Sequence, residues 1–315
     1  MKYNPRFSIK QINYFVTLSE TSSLSEAASK AGISQSALSE AIDTLEDQLN
    51  VRLIVRKRAQ GITLTDSGKD LLIYCRSLLE AAQDIQNLAN GRCDQQLTGK
   101  ITLGCYSTLA PFVLPGLVEA LMQQHPEAEI ELKEGSGIEL DALLQTGECE
   151  LAVMYSYNIN PVLEYDVLYC VRPKVLLSAD HPLAAEKEID LANLITENFI
   201  SFSVEPSAKN TASIFSDLGL TPRYGPKIKN IETVRSLVAQ GVGYSVLLHP
   251  SAMQQSYTGR QLVVREIKGV QRQYDVVLAQ SSSLQGSRRS RILREFIINC
   301  FQRQAENTLI PQDGF

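Results

Sequence analysis

No apolar run in this chain approaches the ~20 residues that a membrane-spanning helix needs. The start, MKYNPRFSIKQINYF, lacks the apolar core and cleavage site of an export signal, so a cytoplasmic protein is expected. The cysteines, at 75, 93, 105, 149, 170 and 300, include no CxxC pair and no histidine at ligand spacing. That argues against a metal site and for reduced, mostly buried thiols, with a redox-sensing cysteine as the alternative. His125, His181 and His249 each directly precede a proline, a setting of turns rather than of a general base. GxSxG, Walker and HExxH patterns are all missing. GVGYS at 241–245 follows a helical stretch and enters a strand, the reverse of a dinucleotide fingerprint. No enzyme activity, metal or cofactor is expected.

What is present is an ordinary globular composition, 44% hydrophobic and 21% charged, over 315 residues, which suffices for two or three domains. The net charge of −5 hides an asymmetry. Residues 1–65 hold eight Lys/Arg against six Asp/Glu, a balance of +2 that leaves −7 on the remaining 250 residues. Half of those basic residues fall within 52–58, so the positive field is local.

The stretch 23–68, SLSEAASKAGISQSALSEAIDTLEDQLNVRLIVRKRAQGITLTDSG, organises the chain. Ser23 can cap a helix whose Leu24, Ala27, Ala28 and Ala31 face inward, and Gly32 ends it. Ile33 plugs the turn, and Ser34 caps a second helix over 35–49 that buries Leu38, Ile42, Leu45 and Leu49. Gln35, Ser36, Ser39 and Glu40 stay near its outward N-terminal side, short polar groups suited to approaching a major groove. In the ribbon that follows, Val51, Leu53 and Val55 are expected to alternate inward while Arg52, Arg56, Lys57 and Arg58 project outward. Such residues normally touch phosphates, and a merely solvated loop is the alternative. Ser8 can cap a supporting helix reaching about Glu20, and Asp66 one reaching about Asn90. The latter carries Leu71, Leu72, Cys75, Leu78, Leu79, Ala82, Ile85, Leu88 and Ala89 on an apolar stripe that needs a partner.

Small helix, Ala-Ala, Gly-Ile-Ser-Gln-Ser, Leu-Ser, Leu-Glu, Arg56 and Leu-Thr-Asp-Ser-Gly, in that order and spacing, resemble the winged helix-turn-helix of the LysR-type transcriptional regulators. The resemblance implies binding of double-stranded DNA, with Ser34, Gln35, Ser36, Ser39 and Glu40 at bases or phosphates and Arg52, Arg56, Lys57 and Arg58 along the backbone. Glu40 departs from the family's usual basic or neutral residue. It implies too that the helix after Asp66 pairs antiparallel in a dimer through Leu71, Leu78 and Ile85; packing on the chain's own C-terminal domain is the alternative.

After the polar hinge GRCDQQLTG, a β-α-β-α-β order over 100–154 predicts a parallel sheet with helices on both faces. A second αβ unit begins near Arg172, with strands near 174–178, 199–203, 224–228 and 243–248 and helices over 208–218 and 231–240. A strand over 273–280 and a helix over 289–301 follow. Gly99 to Gly104, EGSG at 134–137 and NIETVRSLVAQGVGYSVLLHP at 230–250 extend the LysR resemblance to a two-lobed periplasmic-binding-protein-like α/β effector domain. The expected division is 1–65 winged helix-turn-helix, 66–98 linker helix and hinge, 99–303 effector domain and 304–315 flexible tail. Lobe I takes about 99–170 and 271–303, and lobe II about 171–270.

Three triplets, Tyr106-Ser107-Thr108, Gly135-Ser136-Gly137 and Ser201-Phe202-Ser203, sit past the carboxyl ends of predicted strands, where α/β sheets bind ligands. Hydroxyls beside helix N-termini suit a small carboxylate, although plain helix capping also accounts for the serines. Tyr106, Ser107, Thr108, Ser136, Ser201, Phe202 and Ser203 are therefore the expected effector-binding residues. The whole reads as a dimeric or tetrameric regulator of an inverted-repeat operator, touching RNA polymerase if it activates. A solute-binding protein, or an enzyme fused to a DNA-binding domain, is the competing reading.

Overall fold

Ser8 opens the first helix with a capping box: its hydroxyl accepts from the Gln11 N–H, and the Gln11 side chain accepts from the Ser8 N–H. This helix, α1 (Ile9–Ser19), packs against α2 (Leu24–Ala31) and α3 (Gln35–Leu49). The computed structural model describes residues 5–57, 61–89, 96–157, 159–205, 207–250, 253–282 and 288–306. Ser23 and Ser34 cap α2 and α3, and Gly32 between them takes the left-handed conformation at φ +66°. Phe15, Leu18, Ala27, Leu38, Ile42 and Leu45 form the core beneath.

The wing is the antiparallel pair β1 (Ile54–Lys57) and β2 (Gly61–Leu64). Its expected alternation breaks. Leu53 and Ile54 are consecutively buried, whereas Val55 is 41% exposed. The cause is upstream, where one carboxylate holds the N–H groups of both Leu53 and Ile54 and sets the strand's entry by hydrogen bonding.

A long helix, α4 (Asp66–Ala89), follows. Its cap is Thr65 and not Asp66: the Thr65 hydroxyl accepts from the Gly68 N–H and donates to the Arg52 carbonyl. Gly68 admits no larger residue, since a Cβ there would stand 2.2 Å from the Leu53 carbonyl oxygen. Leu72, Ile73 and Cys75 are buried and Leu71 and Leu79 pack on the helix-turn-helix core, while Tyr74, Leu78 and Ile85 are exposed.

Beyond residue 96 the chain runs β3 (Gly99–Tyr106), α5 (Ala110–Gln124), β4 (Ala128–Gly135), α6 (Gly137–Gln145), β5 (Leu151–Tyr155) and β6 (Leu163–Val171). It continues through β7 (Lys174–Ser178), β8 (Glu188–Ile189), β9 (Asn198–Phe202), α7 (Ser207–Asp217), β10 (Arg223–Ile228), α8 (Ile231–Ala239) and β11 (Ser245–Leu247). The last elements are β12 (Leu262–Ile267), β13 (Tyr274–Ser281) and α9 (Arg288–Glu306). Sequence reading did not expect β6, β8 or β12, and stopped α9 at residue 301.

The first sheet has the order β4-β3-β5-β13-β6. β3, β4 and β5 are parallel, as expected, but β13 runs antiparallel to both β5 and β6, so the sheet is mixed. The second sheet, β11-β7-β12-β8, is mixed as well, and the parallel pair β9–β10 joins it through a bridge between Phe199 and Tyr244. Gly243 permits that join, because a Cβ on it would meet the Asn198 carbonyl oxygen at 2.0 Å. Each sheet has its own core, giving two lobes linked by the crossovers β6–β7 and β12–β13.

Candidate DNA interface and effector site

At the start of α3, Ser34, Gln35, Ser36 and Glu40 are exposed. The Ser34 hydroxyl accepts from the Ala37 N–H and lies 3.0 Å from the Ser36 hydroxyl, so these groups are held at the helix's electropositive end. Ser39 is half-buried, and its hydroxyl reaches Asp43 at 3.5 Å. This polar, donor-rich tip can meet base edges or phosphates.

The wing arginines do something the sequence reading did not anticipate. Glu46, on the buried side of α3, accepts from the Leu53 N–H at 2.7 Å, the Ile54 N–H at 3.1 Å and Arg52 at 2.6 Å. Burial by itself pushes this carboxyl up, but the two N–H groups and Arg52 outweigh it, and the pKa lies below the usual value. Arg56 pairs with Asp43, one turn earlier on α3, at 2.7 Å. Two acids on the recognition helix therefore hold the wing in register with it. Arg52 stays 75% exposed and Arg56 41%, so both keep donors facing outward. Lys57 belongs to β1, and Arg58 lies outside the described residues.

Between the lobes, three tyrosines from two segments meet, Tyr106 at the end of β3 and Tyr155 and Tyr157 at and just after the end of β5. Tyr155 stacks on Tyr157 with ring centroids 5.1 Å apart and meets Tyr106 edge-on at 5.3 Å. The phenols of Tyr106 and Tyr157 both reach the Ser207 hydroxyl at the start of α7, at 2.8 and 3.1 Å. One lobe II serine thus bridges two lobe I tyrosines. The Tyr155 hydroxyl is buried; the Thr108 side chain approaches it, but no hydrogen bond of normal geometry forms among the described residues. Burial holds its pKa well above the usual phenol value.

Two cavities adjoin this cluster. One, of about 20 Å³, is lined by Thr108, Tyr155, Phe202, Ser207, Thr211, Val246 and His249 among others. The second, of about 360 Å³, is lined by Tyr106, Ile138, Asp141, Met154, Tyr155, Tyr157, Ile159, Glu205 and Lys209 among others. Of the seven expected effector residues, the cavities gather Tyr106, Thr108 and Phe202. Ser107 is exposed, Ser136 is taken up in a capping box with Glu139, and Ser201 and Ser203 line neither cavity. Ser107 and Thr108 do not cap α5: its first residue follows Leu109, without a side-chain cap, and Pro111 in its first turn has no N–H to offer.

Tyr155, Tyr157, Ser207, Glu205 and Lys209 were not foreseen. The one signal, for the two tyrosines alone, was the Tyr-Ser-Tyr run directly after the strand predicted to end at Met154. The thiols at Cys75, Cys105 and Cys149 are buried, and burial raises the pKa of each, to about 11 for Cys75 and about 12 for Cys149. Cys170 is exposed, and Cys93 lies outside the described residues. Among the described residues no group of three or more His, Cys, Asp or Glu can hold a metal ion, and no helix is long and apolar enough to cross a membrane.

Residues 9–69 match the bacterial regulatory helix-turn-helix protein, lysR family, and residues 94–301 match the LysR substrate binding domain. The chain belongs to the LysR family of transcriptional regulators. It is 30% identical over 242 residues to the HTH-type transcriptional regulator YvbU of Bacillus subtilis, covering 76% of this chain and 81% of that protein. It is 29% identical to the nitrogen assimilation regulatory protein nac of Escherichia coli, covering 78% and 79%. HinK of Pseudomonas aeruginosa, a LysR family transcriptional regulator, superimposes with a TM-score of 0.61 at 30% identity, covering 94% of this chain and 98% of that one. Full-length OxyR of the same organism gives a TM-score of 0.76 at 24% identity, with coverage of 94% and 98%, a likeness of fold alone. This LysR-family regulator is a DNA-binding transcription factor with an effector-binding domain, and not an enzyme.

Proposed function

We propose that this LysR-family regulator changes its operator binding when a small, carboxylate-bearing metabolite occupies the interface between the two lobes. The observation that carries this reading is the buried Tyr155 hydroxyl, without a hydrogen bond of normal geometry, on a residue that lines both interlobe cavities, the smaller of them walled by Thr108, Ser207 and Thr211. A buried phenol without a partner costs free energy, and a ligand oxygen that accepts from it recovers that cost. Phe202 and the tyrosines supply an apolar wall for the rest of the molecule.

Ser34, Gln35, Ser36, Ser39 and Glu40 read the major groove, and Arg52, Arg56, Lys57 and Arg58 track the phosphates. Two copies pair through the exposed stripe Tyr74–Leu78–Ile85 on α4, so the operator is an inverted repeat. Leu71, seven residues before Leu78, contributes less than expected, because it packs on the helix-turn-helix core of its own chain. Tetramers, contact with RNA polymerase by an activating form, and residence in the cytoplasm with the operator complete the reading.

The test is calorimetry of small organic acids against the wild type and Thr108→Val. Losing one hydroxyl that bonds a charged ligand should weaken binding roughly ten- to hundredfold, leaving basal DNA binding intact. An acid that binds both proteins equally well removes Thr108 from the site.

A further inference from the structure

The larger interlobe cavity has a charge pattern that a plain carboxylate does not satisfy. Two acids, Asp141 and Glu205, and one base, Lys209, line it. Asp141 spends one oxygen on Gln145 and Asn160, at 2.8 and 3.3 Å, while its other oxygen is buried and accepts from nothing among the described residues. Glu205 and Lys209 are exposed at the rim and enter no ion pair with another described residue. Tyr106, Tyr155 and Tyr157 line the same cavity, and aromatic rings attract a cation.

A simple anion here would be attracted by Lys209 but repelled by two acids, and a simple cation the reverse. A molecule bearing both charges on neighbouring carbons satisfies all three groups. At about 360 Å³ the cavity falls at the small end of metabolite sites, which suits a single compact molecule. We infer that the effector is a zwitterion of the α-amino acid type, its carboxylate toward Lys209 and its ammonium toward Asp141, Glu205 and the Tyr106–Tyr155–Tyr157 wall. This rests on the interlobe reading given above and adds the ammonium to it.

The experiment uses the full chain. The protein amino acids, together with a set of simple organic acids, are screened by thermal shift, and each hit is titrated by calorimetry beside its deaminated acid and its decarboxylated amine. At least one amino acid should bind, and each truncated form should bind roughly tenfold more weakly or worse. Lys209→Gln should abolish the preference over the amine, and Glu205→Gln should reduce the preference over the acid. Both residues lie at the exposed rim, and the melting temperature without ligand reports whether either variant is misfolded. If organic acids bind and amino acids do not, or if the deaminated acid equals its parent, the zwitterion is overturned while the interlobe carboxylate site stands. If neither class binds, both readings fall together.

Discussion

Arg76 of α4 donates to the main-chain carbonyl of Thr146, the residue that closes α6, and its other terminal nitrogen lies 3.5 Å from the Glu20 carboxylate at the end of α1. A single guanidinium, 11% exposed, therefore touches the DNA-binding domain, the linker helix and the effector domain. The other end of α6 lies at the larger interlobe cavity, which Gly137 and Ile138 line. At 1.5 Å per residue, this helix of nine residues spans roughly 14 Å between the ligand region and Arg76. Arg76→Gln should leave effector affinity nearly unchanged while shrinking the effector-induced change in operator affinity. Calorimetry paired with fluorescence anisotropy on labelled operator would read both, and an unaltered ratio would release Arg76 from that role.

Removing the charge of Glu46 should loosen the wing. Glu46→Gln keeps the shape but weakens acceptance from Leu53, Ile54 and Arg52, and urea denaturation should show a loss of roughly 1–3 kcal/mol. Operator binding should weaken for every sequence alike, since the wing then sits in more than one position. Equal stability and equal affinity would mean that the wing is held by the core alone.

Arg56→Ala should weaken binding uniformly and lower the slope of log affinity against log salt by about one charge. Asp43→Ala, which frees Arg56, should by contrast tighten non-specific binding or leave it unchanged. Glu40→Ala should alter base preference, because an exposed carboxylate at the start of α3 can accept from cytosine and repels phosphate. Binding-site selection on random duplexes separates the two effects.

Leu78→Asp should yield monomers with poor operator affinity. Leu78 is exposed in the single chain, so the substitution costs little in the fold and its cost appears on pairing. Sedimentation velocity at several concentrations checks it, and a Leu78→Asp protein that remains fully dimeric places the interface elsewhere.

Much of the N-terminal domain was legible because its signals are local. Ser23, Ser34 and Gly32 act within four residues of themselves, and the apolar spacing of α3 needs no partner to be read. Glu46 was not legible, because the donors that justify its burial lie seven and eight residues further along the chain. β6 hid for a different reason: as an edge strand it leaves Tyr165 and Val167 exposed, so LEYDVLYCV shows no clean alternation. At the effector site the sequence could place strand ends but not the approach of Ser207 to Tyr106 and Tyr157, about 100 and 50 residues away.

Acid should destabilise the effector domain through His249. Burial pushes its imidazole down from 6.5 to about 4, with Phe112 packed on the ring at 4.6 Å. Between those pH values the unfolded chain binds a proton that the folded chain does not, so this stability is fully present above pH 6.5 and is lost as pH falls toward 4. The loss is on the order of 3 kcal/mol. Denaturation of wild type and His249→Phe at pH 7 and 4.5 should show a smaller drop for the variant. His125, whose pKa burial also lowers, accounts for part of the slope that remains.

The serine that joins two phenols also governs timing. With about 20 Å³ behind it, the seam beside Thr108 has room for one water and not for a metabolite. A ligand held in the larger cavity needs no such opening, but one that also engages the Thr108 hydroxyl does so only after Ser207 has let go of Tyr106 and Tyr157. The observed association rate should then level off at high ligand concentration, at the rate of parting, and Ser207→Ala should raise that plateau. For a ligand of that kind, the regulator's response to a sudden rise in effector would be set by how often two lobes separate, and not by how often a molecule arrives.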